Sequence, residues 1–79
     1  MIAEYEYIYF RECTNISGKT KKWHCCNKKS TEILGLVKWS GNWRQYCFYP
    51  FQSTVFSKGC LADIIDFIEM EMDKWRATK

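Results

Sequence analysis

The first strong pattern along the chain is "EYEYIYFRE", residues 4–12, which alternates with period two. Tyr5, Tyr7 and Tyr9 fall on one side and Glu4, Glu6, Ile8 and Phe10 on the other, predicting a strand from about residue 4 to 11. "TNISGKT" then gathers Asn, Ser and Gly into a turn signal. "KTKKWHCCN" predicts a second strand, with Lys21, Trp23 and Cys25 on one face and Lys22, His24 and Cys26 on the other. After the polar loop "NKKST", "EILGLVKW" predicts a third strand, where Leu34, Leu36 and Lys38 oppose Ile33, Gly35, Val37 and Trp39. Gly35 within it predicts a bulge or a close backbone approach. "SGN" makes a hairpin link to "WRQYCFYP", a fourth strand with Trp43, Gln45, Cys47 and Tyr49 on one face and Arg44, Tyr46 and Phe48 on the other. Pro50 closes it, because proline has no N–H for a ladder.

Beyond the loop "FQSTVFSKG" the period changes. Leu61, Ile64, Ile65, Ile68, Met72 and Trp75 recur at helical spacing, while Asp63, Asp66, Glu69 and Asp73 face away, predicting an amphipathic helix over about 59–76. Ser57 or a neighbour is the expected N-cap; Asp63 suits the positive end of the helix and Lys74 and Arg76 the negative end. The expected fold is α+β, a four-stranded antiparallel β-meander with one C-terminal amphipathic α-helix packed on one face. A single domain covers 1–79, with the sheet over about 4–50. The helix covers one face of the sheet, which leaves the other to be explained.

Composition narrows the function. At 47% hydrophobic and 18% aromatic the 79 residues form a folded domain, and surplus aromatic surface on so small a body predicts a homo-oligomer or a ligand site. The first ten residues hold two glutamates and no basic segment, and no apolar run approaches the roughly 20 residues of a membrane span, so no membrane association is expected. Cys13, Cys25, Cys26, Cys47 and Cys60 are an odd number and read as free thiols in a reducing cytoplasm. Residues 1–58 carry nine Lys/Arg against four Asp/Glu, while residues 59–79 carry three against five. An anionic partner suits the first part.

Specific chemistry is sparse. "HCC" at 24–26 lacks the paired Cys/His spacing of a zinc site, so no metal or other cofactor is expected. Cys47 with His24 would be the candidate nucleophile and base, but no phosphate loop or convergent carboxylate pair accompanies them, and an enzyme with catalytic residues is not expected. Lys19, Lys21, Lys22, Lys28 and Lys29 either keep a hairpin soluble or meet phosphate. The hairpin "VKWSGNWRQYCFYPF" supplies the candidate ligand residues. Arg44 and Lys38 would hold phosphate, while Trp39, Trp43 and Tyr46 would stack on a base. Arg44 serves equally well as a structural partner of the rings.

"LGLVKWSGNWRQYCFYP" followed by "CLADIIDFI", with "GKTKKW" upstream, resembles a group of short bacteriophage and prophage proteins. They share LG-x-[IV]-KW, WRQY-x-F-x-P and CL-x-[DE]-I-x-[DE]-FI, and the likeness spans residues 18–69. Ser40 stands where an aromatic is common in the group. The resemblance implies a small sheet with a C-terminal helix, a mobile-element origin and the host bacterial cytoplasm as location. The expected function is then a non-enzymatic binding protein that counteracts host defence by sequestering an anionic small molecule such as a nucleotide signal. The alternative is a protein–protein interaction module that inhibits a host protein. Single-stranded nucleic acid ranks third, because the net charge is only +3.

Overall fold

The computed structural model of the protein describes residues 2–13 and 20–77. Five strands precede one helix: β1 (Ile2–Glu4), β2 (Ile8–Cys13), β3 (Lys22–Asn27), β4 (Ile33–Ser40), β5 (Gln45–Pro50) and α1 (Lys58–Ala77). The strands pair antiparallel in chain order, giving the expected meander with one strand more than the four expected. The extra strand arises where "EYEYIYFRE" folds back on itself: the Tyr5 N–H donates to the Ile8 carbonyl at 2.9 Å. Tyr5, Tyr7 and Tyr9 therefore do not share a face. Alternation conceals this turn because it contains neither Gly, Asn nor Pro. Of the turn expected in "TNISGKT", only Thr20 lies within the described residues.

Glycine 35 sits where both of its expected reasons apply. The ladder between β3 and β4 slips as it passes Cys25 and Cys26, which pair with Gly35 and Ile33, so Leu34 is the extra residue of a bulge. A Cβ on Gly35 would lie 2.7 Å from both the Phe48 ring and the Tyr49 carbonyl oxygen. The bulge also exchanges faces. Leu34 packs against the helix-side core, whereas Ile33 lies beside Cys26, the reverse of strict alternation.

The helix caps as expected, with the Cys60 N–H donating to the Ser57 hydroxyl at 3.2 Å and Lys74 and Arg76 in the last turn. Its first turn holds no acid, so Asp63 lies too far along to serve there. The stripe facing the sheet is rotated from the expected one. Ile64, Phe67, Glu71 and Met72 are buried, while Leu61 and Ile65 are 46% and 58% exposed. Phe67 sets the rotation by stacking on Phe10 at 4.0 Å between centroids and 4° between planes. It also meets Trp23 edge-on at 5.1 Å. Trp23 continues to Tyr46, Tyr46 to Trp39, and Trp39 to Trp75, a ring-to-ring path under the helix. Aromatic rings bury about 150–250 Å² each, so aligning Phe67 outweighs burying Ile65. Glu71 comes to the sheet side with it, and its carboxylate takes the Lys74 ammonium at 3.3 Å.

Both edges of the sheet are protected. β1 is three residues long, and on β5 the Tyr46 N–H is taken by the Met72 sulfur at 3.4 Å while Pro50 has no N–H to offer.

Candidate functional site

Residues opposite one another in an antiparallel ladder share a face, so the register assigns every strand side chain. Phe10, Trp23, Cys25, Val37 and Tyr46 point to the helix. On the other face, the ladder lays out rows about 7 Å apart, two residues of strand rise. One row is Cys13, Lys22, Lys38 and Cys47; the next is Arg11, His24, Leu36 and Tyr49; the third is Tyr9, Cys26 and Ile33. Among the described residues no helix covers this face.

Its cations are Arg11, Lys22 and Lys38, and its acid among the described residues is Glu4 at the β1 edge, drawn aside to Lys28 at 3.6 Å. Lys38 holds its ammonium 4.7 Å from the Tyr49 ring centre. Tyr9 stands opposite Cys26, which is buried. Desolvation first, and then interaction with the Cys26 thiol, hold the Tyr9 hydroxyl above its ordinary pKa. His24 is held below its ordinary pKa, first by desolvation and then by the charges of Arg11 and Lys22. Its neutral ring stands with Nδ1 3.3 Å from the Cys13 sulfur. The thiol beside His24 is therefore Cys13, while Cys47 lies two strands away on β5. Cys25, on the helix side, has its thiol pushed up to about 12 by burial, then by Cys26 and Cys60, and is inert at neutral pH.

The five residues expected to form a ligand site are distributed over three places. Trp39 and Tyr46 lie beneath the helix, Tyr46 being buried with its hydroxyl accepting the Lys21 N–H at 3.2 Å. Trp43 and Arg44 stand at the tip of the β4–β5 hairpin, Trp43 72% exposed and Arg44 exposed with φ 55°. Lys38 alone belongs to the open face. Of the companions it has there, Lys22 belongs to the lysine cluster considered for phosphate, while Arg11, Tyr9 and Tyr49 were not singled out by the chain pattern. The alternation of "KTKKWHCCN" did separate Lys22 and His24 from Trp23. The missing information was which side the helix would take.

Cavities among the described residues lie elsewhere. One of about 650 Å³ opens where the β1–β2 and β3–β4 turns meet, lined by Glu6, Tyr7, Asn27, Lys28, Lys29 and Ser30. A smaller one of about 380 Å³ separates the β5 edge from the C-terminal half of the helix. Among the described residues no three His, Cys, Asp or Glu side chains gather as a metal site, and no helix is long and apolar enough to cross a membrane.

No family model matches the chain, and no solved structure matches it. Over 69 residues it is 30% identical to an uncharacterized 9.3 kDa protein of Acholeplasma phage L2, an alignment covering 87% of this chain and 88% of that one. Similarity of that extent across nearly the whole of both chains places this protein in the same family as the 9.3 kDa protein of Acholeplasma phage L2.

Proposed function

We propose that this phage-family protein is a non-enzymatic binding protein whose open sheet face takes a single-stranded nucleic acid. One observation carries the reading: three cations and two tyrosines share a sheet face that, among the described residues, no helix covers, with the net acidic helix on the opposite side. Arg11, Lys22 and Lys38 would meet phosphates, and Tyr9 and Tyr49 would offer rings to bases, the combination used by proteins that bind single strands without strong sequence preference. Lys22 and Lys38 share one row and Arg11 stands in the next, so the three cations run across three adjacent strands as a short basic line that can follow successive phosphates. The modest net charge of +3 averages the basic sheet with a helix that carries five acids against three cations, and so understates the field at the open face.

A second reading keeps the small anionic ligand and moves it from the hairpin to the cavity beside Tyr7. Its volume of about 650 Å³ suits a nucleotide, and Tyr7, 62% exposed, stands there with Lys28 and Lys29. Sequestering such a ligand, or inhibiting a host protein, would be the route to a role against host defence.

Titration of a labelled homopolymer oligonucleotide against the protein at several salt concentrations tests the first reading. Three phosphate contacts predict a slope of log affinity against log salt of about −2. Replacing Arg11, Lys22 and Lys38 together by Ala should remove binding with the fold intact, while Arg44→Ala should leave it unchanged. Absence of binding at low salt, or binding indifferent to the triple replacement, sinks the reading. Stabilisation by mononucleotides that Tyr7→Ala abolishes would favour the cavity instead.

A further inference from the structure

Lys58, Leu61, Ile65 and Glu69 follow one another at three- and four-residue steps, Ala62 lies three residues before Ile65 and four after Lys58, and every one is exposed. They make a continuous stripe on the flank of α1 turned away from Phe67. Leu61 and Ile65 leave a large apolar area in water. None of these side chains contributes to the helix–sheet core, which is built by Ile64, Phe67 and Met72. The apolar centre of the stripe is Leu61, Ala62 and Ile65, with a cation one turn before it and an anion one turn after it.

We propose that this stripe is the contact through which two copies of the chain pair, helix against helix, antiparallel about a two-fold axis between Ala62 and Ile65. The charges choose the occupant and its direction. In an antiparallel pair Leu61 of each copy meets Ile65 of the other, the small Ala62 lets the helices approach near the axis, and Lys58 of each faces Glu69 of the other. A parallel pair would set Lys58 against Lys58 and Glu69 against Glu69. Among the described residues neither Lys58 nor Glu69 forms an ion pair within its own chain, whereas Lys28, Lys74 and Arg76 do. Lys58 is moreover a cation at the positive end of its helix, a position that costs the monomer stability and gains a partner only across the pair. A two-fold contact of this kind uses the same patch twice, so every favourable pair is counted twice. It leaves both open sheet faces outward and does not depend on what they bind.

Sedimentation equilibrium of the full chain over a wide concentration range tests the pairing. A concentration-dependent dimer is expected, and Ile65→Glu should give a monomer at every concentration with an unchanged circular dichroism spectrum. Lys58→Glu should weaken dimerisation several-fold while raising the melting temperature of dilute, monomeric protein, because it places an acid at the helix start. Glu69→Lys should weaken it as well, and the double exchange should restore it. A wild type that stays monomeric overturns the proposal and leaves the patch to another partner. A dimer indifferent to Ile65→Glu, or a double exchange that fails to restore it, overturns it equally by placing the contact elsewhere.

Discussion

Thr31 and Arg44 each end a four-residue turn in the left-handed region, at φ 63° and 55°, and in each the N–H of that last residue donates to the carbonyl four residues back at 2.8 Å. The β3–β4 turn is reinforced by the Asn27 side chain, which accepts the Lys29 and Ser30 N–H groups at 2.8 and 3.1 Å. A left-handed residue with a Cβ costs roughly 1–2 kcal/mol, and a β-branched one fits worst. Thr31→Gly and Arg44→Gly should therefore each stabilise the protein, by about 1 kcal/mol after the greater chain entropy of glycine is subtracted. Urea denaturation measures this directly, and a loss of stability on either substitution would mean that the side chain has a role the turn geometry does not explain. Glycine is expected at the hairpin turn, and Gly41 is there, yet the strained position is three residues later. Gly35, by contrast, was legible, because a glycine inside a run of large apolar residues has few reasons to be there other than a bulge or a close neighbour.

At the scale of elements, the helix was legible in its extent, its Ser57 cap and its basic C-terminus, but its rotation was not. The expected stripe of residues 61, 64, 65, 68, 72 and 75 is buried at Ile64 and Met72, whereas Leu61 and Ile65 are exposed and Phe67 and Glu71 are buried instead. Periodicity favours the all-apolar stripe because it leaves Glu71 out. Packing rotates the helix, because Phe67 alone can stack on Phe10 and close on Trp23 at once. Phe67 and Ile65 therefore have opposite mutational outcomes. Phe67→Ala should cost about 3–5 kcal/mol, most or all of what holds a domain this small together. Ile65→Ala should change the stability of the monomer by no more than about 0.5 kcal/mol, as an exposed position would. The same logic accounts for β1, invisible to pattern reading because the hydrogen bond from Tyr5 to Ile8 interrupts an alternation that never falters in the residues themselves.

Across the whole molecule, the helix divides the charge. It carries Asp63, Asp66, Glu69 and Asp73 on one side of the sheet, and Arg11, Lys22 and Lys38 stand on the other. The sequence revealed the imbalance between its two parts, but the separation into opposite faces needed the register and the choice of helix side. His24 reports on that field. Its folded pKa lies below the 6.5 of the unfolded chain, so on acidification the unfolded state takes up the proton first. The stability contributed by the neutral ring is complete above pH 6.5 and is lost as the pH falls from there through the folded pKa. Removing the ring should abolish this part of the pH dependence, so His24→Gln should flatten the melting temperature across that window. An anion bound to the open face would act in the opposite direction, since phosphate beside Arg11 and Lys22 offsets the charges that help to hold His24 neutral. Affinity for a single strand should therefore rise as the pH drops below 6.5 even while the free protein loses stability, and His24→Gln should remove both trends together. Oligonucleotide titrations and melting curves over the same pH series measure the two, and an affinity that stays flat while wild-type stability falls would place the ligand away from the row containing Arg11 and His24.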